Sequence, residues 1–239
     1  MNQSLQKMLL AASLGLAIAL PAQAEGPMAT DDAGTLDVGG MKIEGALSRD
    51  DKTRGAELGL GYGPIENVEL GLTFARETDR DPNPSTRVRG TGIGIKWVPI
   101  QNDTGWSLGL SFGYGHARVN ERSTPDKFTE KEYAIAGLAT YRFENGQVLH
   151  MNVGSTRTKV QADSDTAGDS ETLHNWGVGY EFPLMEKLQL TAEIYGEEHA
   201  GPDKALGLRY EILDGLKLYG SIGRGNDRSF GNLGVAWEF

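Results

Sequence analysis

The chain has 239 residues, a net charge of −10 at pH 7 and no cysteine. The acidic balance speaks against nucleic-acid binding, which relies on Lys and Arg side chains that neutralise phosphates. The lack of cysteine excludes a disulfide framework and thiol chemistry. The 33 glycines recur inside alternating polar and apolar runs, so they do not indicate a flexible low-complexity tract.

The first 24 residues have the three-part pattern of a secretory signal peptide. Lys7 lies near the start, an apolar run covers residues 8–20, Pro21 ends the run, and Ala22-Gln23-Ala24 supplies small residues for cleavage. The run is shorter than the roughly 20 residues that a membrane-spanning helix needs. We therefore expect residues 1–24 to be a cleaved signal peptide and the mature chain to begin at Glu25.

Nearly the whole mature chain alternates between apolar and polar residues with the period of a β-strand. In chain order, the predicted strands cover residues 41–47, 56–62, 68–74, 93–97, 106–114, 133–143, 149–153, 176–182, 188–194, 206–212, 216–222 and 233–239. This gives about twelve strands, and an even number is typical of bacterial outer-membrane barrels.

The connections between these strands alternate in length. Short turns are predicted near 64–67, 99–104, 144–146, 183–186 and 214–215. Longer polar loops are predicted at 48–53, 77–87, 118–131 and 159–172, and shorter ones near 200–202 and 225–227. Outer-membrane barrels have short periplasmic turns and longer surface loops, so this alternation predicts that both chain ends lie on the periplasmic side.

Aromatic residues of the apolar phase concentrate at the strand ends. Those nearest the short turns are Tyr62, Trp97, Trp106, Tyr141, Phe143, Tyr180, Phe182, Tyr210, Trp237 and Phe239, and those nearest the long loops are Phe74, Tyr114, Tyr133 and Trp176. Two aromatic girdles are expected at the two surfaces of a membrane, whereas a soluble sandwich or lipocalin-like barrel would scatter its aromatics through a core. We predict an all-β fold, a 12-stranded antiparallel transmembrane β-barrel over residues 36–239. Its environment would be the lipid of a Gram-negative outer membrane.

The chain ends on the aromatic residue of an alternating strand. That last strand must pair with the first one around Met41 and Ile43, because a closed barrel has no free edge. We also expect Phe239 to be the residue through which the outer-membrane assembly machinery engages the chain.

The polar faces of the strands should line the lumen. Its candidate charged residues are Lys42, Glu44, Glu57, Glu69, Lys96, Arg142, Glu181, Glu193, Arg209, Glu211 and Lys217. Mixed charges in an enclosed wall must pair or be hydrated, so two interpretations stay open: a polar permeation path, or a salt-bridged interior that is simply packed. Counting from the connections predicts that Glu193 lies opposite Arg209 and Glu211 opposite Lys217.

Residues 25–35 do not follow the strand pattern, and we expect them to form a periplasmic N-terminal segment. Thr30, Asp31 and Asp32 would then lie at the periplasmic mouth of the barrel. They are good turn and capping residues. The alternative is a gate or a cation site.

The chain contains few candidate catalytic motifs. None of its four His has a Ser and an Asp at a spacing that indicates a triad. We predict no catalytic, cofactor-binding or metal-binding residues, with a membrane-embedded hydrolase as the enzymatic alternative. The acidic stretch 163–171 resembles half of a calcium loop, but Ala167 and His174 occupy ligand positions, which favours a solvated surface loop.

The stretch Gly26-Pro27-Met28-Ala29-Thr30-Asp31-Asp32-Ala33-Gly34-Thr35 resembles the amino-terminal motif of an outer-membrane barrel family named for the meta-pathway of phenol degradation. Residues 61–72 are similar to the second hairpin of that family. The resemblance implies a transporter-like barrel that passes small molecules, aromatic ones among them. The functional expectation is therefore a passive channel for small solutes. The alternative is a non-conducting barrel with a structural or surface-contact role.

Overall fold

The computed structural model describes residues 26–80, 85–121, 127–164 and 168–239. The predicted signal peptide, residues 1–24, lies outside them. Within these ranges twelve antiparallel strands close into a single barrel, as predicted. The strands are β1 (Met41–Asp50), β2 (Thr53–Ile65), β3 (Val68–Asp79), β4 (Thr86–Ile100), β5 (Gly105–Glu121), β6 (Lys127–Arg142), β7 (Val148–Ala162), β8 (Asp169–Met185), β9 (Leu188–Glu197), β10 (Asp203–Leu213), β11 (Leu216–Gly225) and β12 (Arg228–Glu238). The described residues contain no helix that is long and apolar enough to cross a membrane.

The barrel closes between its first and last strands. Ile43 of β1 lies opposite Trp237 of β12. Beyond β12, the backbone N–H of Phe239 donates to the carbonyl of Met41 at 2.9 Å, and the N–H of Met41 donates to the carbonyl of Phe239 at 2.8 Å. The predicted pairing around Met41 and Ile43 is thus confirmed, and it leaves no unpaired sheet edge.

The apolar phase of every strand points outward. Large apolar side chains such as Ile93 and Leu233 are more than half exposed. Aromatic rings pack against one another at both ends of the barrel, with centroid distances of 5.0 Å for Trp106–Tyr141 and 5.2 Å for Tyr114–Tyr133. An apolar outer surface bounded by aromatics is the surface that a barrel presents to lipid.

The short-turn end of the barrel is defined here by the five connections 66–67, 101–104, 143–147, 186–187 and 214–215. Four strands carry a register shift at this end, between Tyr62 and Ile65, between Trp97 and Ile100, between Pro183 and Met185, and between Glu211 and Leu213. The first three shifts contain or border a proline, and the fourth does not. Proline cannot donate to the ladder, so a bulge at the strand end accommodates it.

The opposite end, the loop end, differs from the expectation. The predicted loop 118–131 shrinks to residues 122–126 and the predicted loop 159–172 to residues 163–168, because the flanking strands continue further. Within the acidic stretch 163–171, residues 165–167 lie outside the described residues. The strand extensions are polar on the outward face and carry Val119, Phe128 and Val160 on the inward face, so the outward apolar alternation from which strands were predicted does not continue into them.

Deletion of Phe239 should lower the yield of inserted barrel several-fold. The deletion removes two backbone hydrogen bonds at the β1–β12 seam together with the ring that packs on Trp237 at 4.7 Å. The measurement is the fraction of heat-modifiable, folded protein in isolated outer membranes.

Two variants serve as controls for this deletion. Phe239→Ala keeps the two backbone hydrogen bonds but removes the ring, so it distinguishes the effect of the bonds from the effect of the ring. Deletion of Ser164 removes a loop residue and should leave the folded fraction unchanged. A normal folded fraction after deletion of Phe239 would show that the terminal residue is incidental.

Candidate functional site: the polar lumen and the segment inside it

The inward phase of the strands is polar and enclosed. All eleven charged residues predicted to line the lumen are buried or half-buried on this phase. Lys96 is only 2% exposed and Arg209 only 4%. Charges buried to this degree need partners, and the structure supplies many of them from residues 26–36.

Residues 26–36, called the lumen segment from here on, lie inside the barrel. The expectation that residues 25–35 form a periplasmic segment is therefore wrong for the described part, residues 26–35. From Gly26 to Leu36 the segment follows the inner wall roughly against the strand order. Arg209 of β10 donates its Nε–H to the carbonyl of Gly26 at 2.7 Å, and the N–H of Leu36 donates to Glu69 of β3 at 3.2 Å. Carboxylates and hydroxyls of the wall thus satisfy backbone groups of the segment.

Glu193 of β9 is the acceptor for the middle of the lumen segment. Its Oε2 accepts from the N–H of Ala29 at 2.8 Å, from the N–H of Thr30 at 3.0 Å and from the hydroxyl of Thr30 at 3.1 Å. Several charge-assisted hydrogen bonds to one carboxylate hold this part of the segment against the wall.

The predicted pair of Glu193 and Arg209 is wrong. Glu193 lies opposite Ala205, and Arg209 lies opposite Gln189. Arg209 instead donates to Glu181 of β8 at 2.9 Å. The predicted opposition of Glu211 and Lys217 is confirmed by the register across the 214–215 turn.

Asp31 and Asp32 are the counter-charges of a buried lysine. The Nζ of Lys96 lies 2.7 Å from Asp31 Oδ1 and 3.2 Å from Asp32 Oδ1. Arg142 lies 3.4 Å from the other oxygen of Asp32, and the side-chain amide of Asn152 exchanges two hydrogen bonds with the backbone of Asp31.

Thr30, Asp31 and Asp32 were expected at the periplasmic mouth, as turn residues or as a gate. Thr30 and Asp31 lie instead within the lumen, 1% and 5% exposed. The Asp32 side chain is 32% exposed and lies beside Arg142 at the short-turn end of β6. Their partners come from β4, β6, β7 and β9, so they make long-range contacts rather than a local turn. Lys96 attracts the two aspartates inward, because a lysine buried without counter-charge would be costly.

Thr140 and Glu44 also bind the lumen segment, and each has a second partner in the wall. Thr140 accepts the N–H of Ala33 at 2.8 Å, and its hydroxyl lies 3.0 Å from Nδ1 of His150. Glu44 accepts the N–H of Gly26 and the hydroxyl of Tyr219. All four wall residues have the inward phase in the sequence, but nothing in the alternation indicates that Thr140 and Glu44 bond to the N-terminal segment.

Glycines of the wall leave room for the segment. A Cβ added at Gly179 would lie 2.8 Å from Cε of Met28, and one at Gly177 would lie 2.8 Å from Oγ1 of Thr30. On β10, a Cβ at Gly207 would lie 2.5 Å from Cγ of Pro27. These glycines allow a second layer of backbone to approach the wall closely.

Two cavities flank the lumen segment. The inner cavity, near the short turns, has a volume of about 340 Å³ and mixed charges, which include Arg142, Glu181, Lys187, Arg209 and Lys217. The outer cavity, toward the loop end, has a volume of about 510 Å³. Met28 lines both cavities, so the lumen segment forms the division between them.

The outer cavity is acidic. Its charged lining residues are Asp31, Glu44, Arg49, Asp50, Glu57, Glu77, Glu132, Glu193 and Arg228. Arg228 is held between Asp50 at 3.2 Å and Asp203 at 2.7 Å. Glu132 is 4% exposed, and its Oε2 has no hydrogen-bond partner among the described residues.

A serine and a histidine meet on the outward face near the loop end. The Oγ of Ser155 lies 2.6 Å from Nδ1 of His174. The carboxylate of Glu198 accepts the backbone N–H of His174 at 3.2 Å rather than a ring N–H. In the described ranges no carboxylate is bonded to this ring, so the orienting acid of a triad is lacking.

A closed antiparallel barrel with an apolar outside and a polar inside has the fold of outer-membrane β-barrels. The KdgM porin in complex with disordered oligogalacturonate is similar to this chain with a TM-score of 0.56 at 12% identity, over 83% of this chain and 99% of that one. The translocator domain of the autotransporter NalP from Neisseria meningitidis gives 0.59 at 14% identity, over 84% and 90%. The NanC porin gives 0.52 at 9% identity, over 82% and 98%.

The chain belongs to the family described as uncharacterised conserved protein UCP029691, whose family model matches residues 12–235. The family named for the meta-pathway of phenol degradation is not the one that matched. A search of curated proteins found no match.

Lys96→Met should destabilise the folded barrel by about 3 kcal/mol, the lower end of the cost of removing one partner from a buried ion pair. The variant leaves Asp31 and Asp32 without the Lys96 ammonium, which lies 2.7 and 3.2 Å from them. The measurement is the free energy of unfolding in urea, in detergent micelles.

The matched control combines Lys96→Met with Asp31→Asn and Asp32→Asn. It should regain most of the lost free energy, because neither carboxylate is then left without the Lys96 ammonium, and Arg142, which loses Asp32, keeps its hydrogen bond to Ser107 at 2.9 Å. If Lys96→Met alone unfolds like the wild type, the ion pairs do not hold the lumen segment.

Proposed function

We propose that the protein is a passive outer-membrane channel for small solutes, which the lumen segment narrows at rest. The observation that carries this proposal is the pair of polar cavities, about 340 and 510 Å³, on the two sides of the segment. A barrel with a purely structural role has no need for enclosed polar space of this size, since packed side chains would serve as well.

The proposed location follows from the two surfaces of the chain. The apolar outward phase and its aromatic ends suit a lipid bilayer. The signal-peptide pattern of residues 1–24 suits export. The similarity of the fold to outer-membrane porins supports the same location.

The contacts of the lumen segment suit a constriction rather than a core. They are hydrogen bonds and ion pairs to wall residues, such as those of Glu193 and Lys96. Water or a polar solute can replace such contacts, because a hydrogen bond to a charged group inside the protein contributes only about 1.5–3 kcal/mol net of the bond to water that it replaces. The apolar contribution is small, a cluster of Ala33, Val98 and Leu138.

The charges of the outer cavity favour cationic solutes. The two guanidinium groups among the charged lining residues are outnumbered by carboxylates, and Arg228 is already held by Asp50 and Asp203. The formal charge of the lining is therefore net negative, and net negative charge around an enclosed cavity raises the local concentration of cations.

Aromatic compounds are the solutes that we propose for this channel. The resemblance of residues 26–35 to the phenol meta-pathway family implies them. Tyr195, Tyr219 and Phe230 also line the outer cavity, and aromatic side chains can pack against aromatic solutes. An aromatic amine would combine both features and should be favoured over an aromatic acid.

Replacing residues 26–36 by a Gly-Ser sequence of equal length should raise the single-channel conductance several-fold. The replacement keeps the chain length but removes the contacts that hold the lumen segment across the lumen. The measurement is conductance of the refolded mature chain in planar bilayers, wild type against variant.

The same bilayers under a salt gradient should give a reversal potential of cation preference in both proteins. Thr35→Ser, which keeps the hydroxyl bonded to Gln101 at 3.1 Å, is the matched control and should conduct like the wild type. A barrel that stays closed at all voltages after the replacement would favour a non-conducting structural role, and an anion preference would contradict the solute class.

A further inference from the structure

Three arginines lie side by side on the outward face of the barrel near the loop end. Arg76 of β3 is directly opposite Arg89 of β4, and Arg89 is directly opposite Arg118 of β5. All three side chains are exposed. They form a row of positive charge across three neighbouring strands.

The same arrangement recurs elsewhere on the barrel. Arg49, which also borders the outer cavity, lies opposite Arg54 across β1 and β2. Lys131 lies opposite Lys159 across β6 and β7, and Lys204 lies opposite Arg224 across β10 and β11. Together with the row of three arginines, these pairs form a basic belt around much of the loop end.

The basic belt lies just beyond the aromatic residues of the loop end. Arg76 is two residues beyond Phe74 on β3, and Lys131 is two residues beyond Tyr133 on β6. Two residues of a strand span about 7 Å. Aromatic rings mark the level at which hydrocarbon gives way to headgroups, so the basic belt lies at the level of the lipid headgroups.

Like charges directly opposite each other destabilise a sheet. None of the ion pairs found among the described residues involves a member of the basic belt. Carboxylates of the same strand ends, such as Glu77 and Glu132, have the opposite phase and line the outer cavity. Negative charge supplied from outside the chain would offset this repulsion.

We propose that the basic belt binds the phosphate groups of the anionic glycolipid in the outer leaflet of the membrane. Arginine offers a planar fork that holds phosphate oxygens with two hydrogen bonds. A ligand with several phosphates would match several neighbouring cations and remove their mutual repulsion. This inference rests on the proposed membrane location, but it does not depend on whether the lumen conducts.

The test uses the full mature chain refolded in zwitterionic detergent, with bisphosphorylated lipid A as the probe. Native mass spectrometry gives its affinity for the wild type and for Arg76→Gln/Arg89→Gln/Arg118→Gln. The triple variant should bind about tenfold more weakly, because charge-assisted hydrogen bonds to phosphate are lost. The matched control Arg76→Lys/Arg89→Lys/Arg118→Lys keeps the charge and should lose less affinity.

Thermal unfolding provides a readout of opposite sign. Without lipid, the triple Gln variant should melt above the wild type, since the repulsion within the row is gone. With lipid A, the wild type should gain more than the variant. If the triple variant fails to fold, Arg89→Gln alone removes the central charge and is measured in the same way.

Three results would overturn the inference. They are equal lipid A affinity of the wild type and the Gln variant, equal affinity for lipid A without its phosphates, and equal stabilisation by inorganic phosphate. Lipid A binding is measured in detergent and does not require an open lumen. A loss of lipid A binding with normal conductance would therefore contradict only the lipid inference. A lack of conductance with normal lipid A binding would contradict only the proposed channel.

Discussion

Charge enclosed by a closed sheet is the constraint on which the rest of this structure depends. Lys96 has its ammonium inside the barrel, where it is 2% exposed. Glu69 lies opposite Lys96 on β3, and the lumen segment adds Asp31 and Asp32 at 2.7 and 3.2 Å. The same reasoning applies to Glu193, which is satisfied by N–H groups of the segment. Wall and segment are thus complementary parts of one polar interior.

The two faces of the strands at the loop end carry charge of opposite sign. Carboxylates such as Glu77 and Glu132 line the outer cavity, and arginines such as Arg76 and Arg89 point outward. Alternation with a period of two allows one strand to serve both surfaces. The inward face suits a cationic solute, and the outward face suits an anionic headgroup. The net charge of the whole chain, −10, does not reveal that the inward face is acidic and the outward face basic at this end.

The barrel could be predicted from the sequence because its signal is periodic and local. Alternating apolar residues indicate the strands, and the two-residue turn 214–215 fixes the register that pairs Glu211 with Lys217. Glu193 and Arg209 were misassigned because the longer connection 198–202 leaves the register open. The lumen segment could not be placed from the sequence, since its bonds join backbone groups to distant side chains and follow no period.

A disulfide between the lumen segment and the wall tests the account most directly. A Cβ at Gly177 would lie 3.5 Å from Cβ of Thr30, within the range of real disulfides, and the chain has no cysteine of its own. The measurement is the number of maleimide-reactive thiols in Thr30→Cys/Gly177→Cys, after mild oxidation of the folded barrel and of the urea-unfolded chain. If residues 26–36 lie inside the lumen, both thiols are lost in the folded barrel alone. Two thiols that stay reactive in the folded barrel would show that the segment lies outside the lumen.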